Sequence, residues 1–156
     1  MRWLYGNRNL IALLAVLGAT PVLSQPANFG TIELSLGFPP EAGRVAGNTG
    51  GSYSLPSLVN RDRNGNPCLG YGEETPDHVI LLKKDFPKLT IKVNSGRKDT
   101  TLLIKGPDNF ALCGDDTGSN KDASVEATNL KEGEYKVWVG AMEPNQNWAY
   151  TLSLQE

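Results

Sequence analysis

The chain has 156 residues, with 15 Lys and Arg against 17 Asp and Glu, two Cys and a single His. This length fits one domain. A mildly acidic charge without basic runs longer than two residues argues against nucleic acid and anionic membranes as partners.

The N-terminus has the parts of an export signal. Two arginines precede an apolar run at residues 10–23, and Ser24 offers a small residue before a predicted cut. The run is shorter than the roughly 20 residues that span a bilayer. We therefore expect a signal peptide folded as a helix over 1–24, a short tail at 25–30 and one domain at 31–156. The alternative is an uncleaved anchor. Cleavage would lower the formal charge from −2 to −4.

Period-two alternation of apolar residues predicts short β-strands through most of the remaining chain. The clearest alternating runs are 31–38, 88–95, 132–141 and 148–155. The runs at 78–84 and 100–106 are apolar on both faces, as expected for central strands, and 123–130 is a weaker strand. Gly, Asn, Asp and Pro separate these runs, as expected for turns. Residues 39–60 are less regular, and their Gly-rich part fits either an edge strand or a loop. The spacing predicts an antiparallel β-sandwich of about seven or eight strands.

Strand phase separates two kinds of aromatic residue. Tyr135 and Tyr150 share the phase of the apolar residues and are predicted to lie in the core. Trp138 shares the phase of Glu134 and Lys136 on the outward face. An exposed Trp stacks on sugar rings or anchors a partner, so Trp138 is a candidate ligand-binding residue. The alternative is that the N-terminal strand or a loop covers it.

Cys68 and Cys113 are the two cysteines, and both follow the predicted leader. An even pair in an exported chain favours one disulfide. Two free thiols are the alternative. Half of a metal site is a further alternative, although zinc requires four ligands.

The stretch LCGDDTGSNKD at residues 112–122 is rich in oxygen donors. Asp115, Asp116, Asn120 and Asp122 are candidate Ca²⁺ ligands, because Ca²⁺ takes six to eight oxygens. Asp115 and Asp116 are also candidates for contact with another ligand. The alternative is a polar turn, since Asp, Gly, Ser and Asn tolerate turn dihedrals and bond their own backbone.

A second polar stretch matches the first half of a calcium-binding loop. Asn60, Asp62, Asn64 and Gly65 occupy the first positions of that pattern. Position twelve, however, is Tyr71 rather than the bidentate Glu. An Asn-Gly turn that leads into the disulfide is the plainer interpretation.

His78 is the only candidate histidine base, and a base of this kind requires a nucleophile or a metal partner. The chain contains no G-x-S-x-G, H-E-x-x-H or P-loop motif. We expect Asp77 and His78 to form a hydrogen-bonded feature at a strand edge and the protein not to be an enzyme. A small hydrolase with paired carboxylates is the alternative.

Turn and strand signatures recur in a recognisable order between residues 77 and 154. An aspartate opens an apolar strand, a Gly-Pro-Asp turn follows a Thr/Leu-rich strand, and an Asp-Asp loop comes next. G-x-Y-x-V-x-V and Y-x-L strands complete the pattern. The matching residues are Asp77, Asp99, Gly106, Pro107, Asp108, Asp115, Asp116, Gly133, Tyr135, Val137, Val139, Tyr150 and Leu152.

This region resembles the bacterial pre-peptidase C-terminal (PPC) domain. The upstream segments GGSYSLPSL and PCLGYGEETPDH look like the version in short secreted cyanobacterial proteins. The resemblance implies a jelly-roll-like β-sandwich with an accessory, non-catalytic role, usually beside a secreted protease. Some relatives bind calcium or extracellular polymers.

Two functional hypotheses follow. The first is a secreted or periplasmic binding module for an extracellular protein or polysaccharide, with no membrane span after signal cleavage. The second is a Ca²⁺-stabilised structural domain of the cell envelope, with Ca²⁺ as the sole cofactor considered.

Overall fold

The computed structural model describes residues 26–116 and 120–156, so the predicted signal peptide at 1–24 lies outside the described residues. The larger of two sheets contains seven strands. They are β1 (Thr31–Leu34), β3 (Tyr53–Ser54), β4 (Tyr71–Gly72), β5 (His78–Leu82), β7 (Thr100–Lys105), β8 (Ala111–Gly114) and β10 (Gly133–Ala141). Strand β10 pairs with β5 over its first half and with β7 over its second.

The smaller sheet has four strands in the order β2 (Arg44–Asn48), β11 (Ala149–Gln155), β6 (Phe86–Asn94) and β9 (Ser124–Leu130). Alternate residues of both sheets meet in one apolar core, which confirms the predicted all-β sandwich. The predicted core residues Tyr135 and Tyr150 are both buried there. Among the residues described, no helix is long and apolar enough to cross a membrane.

The sheets differ from the prediction in strand number and in one direction of pairing. Eleven strands are present in the described ranges, because the irregular region at 39–60 and the loop before β5 contribute β2, β3 and β4, and the start of the predicted acidic loop contributes β8. Strands β1 and β5 pair in parallel, with Thr31 opposite Val79. A parallel pair requires a long crossover, and here the intervening chain enters the smaller sheet as β2 before it returns.

The first predicted strand is also shorter than its alternation indicated. Strand β1 ends at Leu34, and the chain turns at residues 35–38, where Phe38 N–H donates to Ser35 O. Gly37 has a φ of +73°, which the extended backbone of a strand does not allow. Leu36 is therefore 53% exposed instead of lying in the core.

A second apolar cluster lies on the outer face of the larger sheet. Leu55, Cys68, Leu103 and Trp138 are buried together there. A short 3₁₀-helix (Leu55–Ser57) and the chain that follows it cover this face; we call residues 55–68 the cover segment. Gly140 allows its close approach, because an added Cβ would lie 2.8 Å from Leu55 Cδ1.

The disulfide holds the cover segment in place. Cys68 and Cys113 are bonded, with their Cα atoms 5.2 Å apart, which confirms the predicted pair. Cys113 lies on β8 opposite Leu103 of β7. The bond therefore joins the end of the cover segment directly to the strands that it covers.

Candidate functional site at the loop end

Four chain segments converge on one pocket at the end of the sandwich where β2 ends and β1, β5 and β11 begin. This loop-end pocket has a volume of 280 Å³. It is lined by Asn28, Phe29, Asn48, Thr49, Gly50, Glu73, Asp77 and Asn147. Loops at one end of a rigid scaffold are a common position for binding sites.

Hydrogen bonds between the loops fix the walls of the loop-end pocket. Thr49 Oγ1 donates to Gln146 O at 2.8 Å and accepts from Trp148 N–H at 3.0 Å. Asn48 Nδ2 donates to Asn147 Oδ1 at 3.0 Å. This pairing leaves Asn48 Oδ1 and Asn147 Nδ2 without a hydrogen-bond partner among the residues described, so an amide oxygen and an amide NH₂ group remain for a ligand.

Asp77 forms the floor of the pocket and is only 3% exposed. Its Oδ2 accepts from Val139 N–H at 2.7 Å. Burial raises the pKa of Asp77 to about 7, and the nearby charge of Glu73 adds to the rise, against the hydrogen bonds from Val139 and Asn28. The floor therefore carries a carboxyl group that takes up a proton near neutral pH.

Beneath the pocket, the single histidine links the two sheets. His78 is 1% exposed, and its Nε2 lies 2.9 Å from the hydroxyl of Tyr150 on β11. Burial lowers the pKa of His78 to about 4, so the ring is neutral at physiological pH. The prediction of a hydrogen-bonded feature is confirmed, but its position at an edge is wrong, because β5 lies between β1 and β10.

Residues 28–30 close this end of the sandwich; we call them the N-terminal clamp. Asn28 N–H donates to Pro76 O, Phe29 N–H donates to Asp77 O, and Val79 N–H donates to Gly30 O. The Phe29 ring lies 5.7 Å from the ring of His78 and is still 42% exposed. One side of the ring therefore packs on the interior while part of it faces solvent.

A separate group of carboxylates forms around the predicted acidic loop. Asp99, Asp115 and Asp116 offer oxygens within 4.8 Å of one another; we call these three residues the acidic cluster. Asp115 Oδ1 is buried without a hydrogen-bond partner in the described part of the chain. Burial raises the pKa of Asp115, and the charges of Asp116 and Asp99 add to it. Such an oxygen-only donor set fits a hard cation such as Ca²⁺.

The other two predicted calcium ligands lie outside the acidic cluster. Asp122 is buried and accepts hydrogen bonds from Ser95 N–H at 2.8 Å, from Ser95 Oγ and from Arg97 N–H at 3.2 Å. Although burial opposes it, these bonds lower the pKa of Asp122. Asn120 Oδ1 accepts from Asp122 N–H. Asp122 therefore anchors the turn between β6 and β7.

The calcium-loop match at residues 60–65 forms a turn beside the disulfide. Asp62 Oδ1 accepts from the N–H groups of Asn64 and Asn66, and its Oδ2 accepts from Cys113 N–H. Both carboxylate oxygens thus bind backbone groups of the turn and of β8. This arrangement agrees with the turn interpretation of that stretch.

The prediction that Trp138 is exposed is wrong. Its side chain lies on the outward face, as its phase indicated, but it is only 4% exposed under the cover segment. Its Nε1–H donates to Glu74 O at 3.3 Å. A disulfide-held loop covers it, which was the stated alternative, and stacking of a sugar on Trp138 is excluded in this conformation.

The chain also resembles a solved structure whose family is known. The chain is similar to the pre-peptidase C-terminal domain of a collagenase from Bacillus anthracis. The match has 16% sequence identity, covers 85% of this chain and 100% of that chain, and has a TM-score of 0.41. The resemblance drawn from the sequence names the same family. No protein-family model matches the chain, and no curated protein matches it.

Sequence reasoning missed most residues of the loop-end pocket and one of the three carboxylates of the acidic cluster. Phe29 and Asn28 fall in the stretch interpreted as a tail, where no alternation marks them. Asp99 is sixteen residues from Asp115, so nothing local connects it to the acidic loop. Asp77 did carry a signal, since an aspartate that opens a strand was part of the recognised pattern.

Proposed function

We propose that this chain is an exported, non-catalytic β-sandwich module that binds an extracellular or periplasmic protein or glycan through the loop-end pocket. The observation that carries the proposal is the convergence of four segments on a pocket whose walls are fixed by hydrogen bonds. A site that is already ordered loses less conformational entropy on binding.

The disulfide supports export. Disulfides persist in oxidising compartments and are rare in the cytosol. The Cys68–Cys113 bond joins the cover segment to β8 and thereby buries Trp138. The predicted signal peptide at 1–24 agrees with this assignment.

The polar groups of the pocket favour binding over catalysis. Asp77 accepts a backbone hydrogen bond, and the His78 ring contacts Tyr150 inside the sandwich. A general base must reach the proton that it abstracts. The His78 ring faces the interior of the sandwich instead, where in its neutral form it contacts Tyr150 of the other sheet.

The test measures retention of exported material on the immobilised, oxidised protein. Extracellular protein and polysaccharide fractions of the source cells are applied separately to wild type and to the double variant Asn48→Ala/Asn147→Ala. Asn60→Ala is the matched control, because Asn60 is an exposed asparagine outside the pocket. We expect wild type and the control to retain a component that the double variant loses. Equal retention by all three proteins, or none, contradicts the proposal.

The acidic cluster favours a second candidate function, a Ca²⁺-stabilised structural domain. Three carboxylates lie within reach of one ion, and Asp115 Oδ1 is buried without a partner among the described residues. Lys121 Nζ, 2.7 Å from Asp99 Oδ2, partly balances the charge in this structure. Bound Ca²⁺ would offset the mutual repulsion of Asp99, Asp115 and Asp116.

Thermal unfolding with Ca²⁺ and with chelator tests this candidate. Saturation at 100 times the dissociation constant stabilises the folded state by about 2.7 kcal/mol. Asp116→Asn should abolish the shift, whereas Asp85→Asn should preserve it, because Asp85 pairs with Lys131 outside the acidic cluster. No shift in the wild-type protein would end this candidate.

A further inference from the structure

We propose that the loop-end pocket is a subsite for one ring of a neutral glycan, with the exposed part of Phe29 as the stacking surface and Asp77, Asn48 and Asn147 as the hydroxyl-binding groups. This inference rests on the proposed function and names the ligand class. It assigns the stacking role that the sequence suggested for Trp138 to a different residue.

The first observation is the pairing of an aromatic ring with polar groups in one small pocket. A pyranose has an apolar face of C–H groups and a rim of hydroxyls, each of which donates and accepts hydrogen bonds. Phe29 is 42% exposed and lines the pocket, so it offers a surface for the apolar face. Because the ring also contacts His78 and Tyr150, its orientation is fixed before a ligand arrives.

The second observation is the set of hydrogen-bonding groups that line the same pocket as that ring. Asn48 Oδ1 accepts and Asn147 Nδ2 donates, and the Asn48–Asn147 bond fixes both amides. Asp77 supplies a carboxyl group at the floor, already positioned by Val139 N–H. Neighbouring hydroxyls of a sugar need this mixture of donors and acceptors, which a purely apolar or purely anionic ligand does not use.

The third observation is the size and continuity of the surface. A volume of 280 Å³ lies just below the range of about 300–1,000 Å³ usual for drug-sized ligands, which suits a single ring. Phe29 and Asn48 also line a second cavity of 470 Å³, with Asn94 and Thr151 on the smaller sheet. A linear glycan can therefore pass over the Phe29 ring from one cavity into the other.

The charge of the pocket selects against acidic glycans. Glu73 is exposed beside the floor carboxyl group of Asp77, and its Oε1 lies near Gly50. A uronic acid in the same position would meet like charge, which disfavours binding. We therefore expect neutral hexose or pentose polymers to bind and uronate polymers to bind more weakly.

The experiment is an NMR titration of the oxidised protein with neutral tetrasaccharides of glucose, mannose and xylose, each in α- and β-linked forms, with a tetragalacturonate as the acidic probe. We expect at least one neutral probe to shift the amide signals of Asn48, Gly50 and Asn147. Phe29→Ser should weaken that binding about two- to tenfold, and Phe29→Tyr should retain it. Asn147→Ala should weaken it as well, whereas Asn60→Ala should leave it unchanged.

The outcomes separate this inference from the proposed function. No shift with any neutral probe at millimolar concentration overturns the glycan assignment. If the protein also retains an exported protein component through Asn48 and Asn147, the binding module stands while its ligand class changes. If the protein retains no exported component, both the glycan assignment and the proposed function fail. A tetragalacturonate that binds as well as the best neutral probe contradicts the charge argument and the assignment.

Discussion

Two surfaces of this sandwich are closed by different kinds of bond. The cover segment at 55–68 buries Trp138 on the outer face of the larger sheet and is held covalently by Cys68–Cys113. The N-terminal clamp at 28–30 closes the end above His78 through three backbone hydrogen bonds and one aromatic ring. The first closure depends on an oxidised disulfide, whereas the second depends on hydrogen bonds and on the packing of the Phe29 ring.

The difference explains why the binding proposal belongs to the clamped end. The cover segment is tied to β8 and leaves Trp138 only 4% exposed, so this face offers little aromatic surface to a ligand. The clamped end leaves part of Phe29 and several amide groups at the surface. A binding site needs side chains that are held in place and that a ligand can reach, and the loop-end pocket has both.

The largest expected effect concerns the covalent closure. The double variant Cys68→Ala/Cys113→Ala should lose roughly 4 kcal/mol of unfolding free energy, as expected for a closed loop whose cysteines are 45 residues apart. Urea denaturation of the variant and of the oxidised wild type measures this loss. Hydrogen exchange should rise in residues 55–68 and stay unchanged at 28–30. A loss below about 1 kcal/mol would show that packing alone holds the cover segment.

The next effect is the pH dependence of the unfolding free energy that arises from His78 and Asp77 beneath the N-terminal clamp. The folded pKa of His78 is lowered from 6.5 to about 4, so its stabilising effect is present at pH 7 and is lost as the pH falls toward 4. The folded pKa of Asp77 is raised from 3.8 to about 7, so its contribution to stability grows as the pH falls across the same range. The two slopes oppose each other, and the wild type should show little pH dependence from this pair.

Two single variants separate the opposing slopes. Between pH 6.5 and pH 4, the unfolding free energy of His78→Gln should rise by about 2–3 kcal/mol relative to that of wild type. Over the same range, the unfolding free energy of Asp77→Asn should fall by a similar amount relative to wild type. Chemical denaturation across this pH range gives both slopes. Parallel curves for wild type and the two variants would mean that neither group is buried as described.

The smallest effect concerns the strand that carries the clamp. Glu33 on β1 lies 2.9 Å from Lys83, and both side chains are largely exposed. Exposed ion pairs contribute about 0–1 kcal/mol, so Glu33→Gln should change the unfolding free energy by less than that. The change should also shrink as salt is added. A loss above 2 kcal/mol would show that β1 depends on the pair rather than on its pairing with β5.

Local patterns in the sequence predicted the parts of the fold that depend on neighbouring residues. The alternation around Tyr135 and Tyr150 identified the inward faces, and two cysteines allowed one pairing. The parallel pair β1–β5 was not predictable, because its partners are separated by a crossover through the other sheet. The burial of Trp138 depended on the same kind of long-range contact, from the cover segment.

The candidate site was less predictable than the fold. The loop-end pocket takes its residues from four segments, and each segment by itself has the composition of an ordinary loop. Phe29 stood next to the predicted leader, where a single aromatic residue carries no periodic signal. Asp77 was recognised as the start of a strand, but only the approach of Asn28 and Val139 shows that it is buried.

The central claim is that residues 28–30 seal a neutral, hydrogen-bonded histidine beneath the loop-end pocket, and an NMR pH titration of His78 tests it most directly. Because the chain has one histidine, its ring signals need no further assignment. The structure predicts a ring that stays neutral down to about pH 4. An ordinary titration near pH 6.5 would contradict this result, since it would show that His78 is solvated and that the clamp does not close this end of the sandwich.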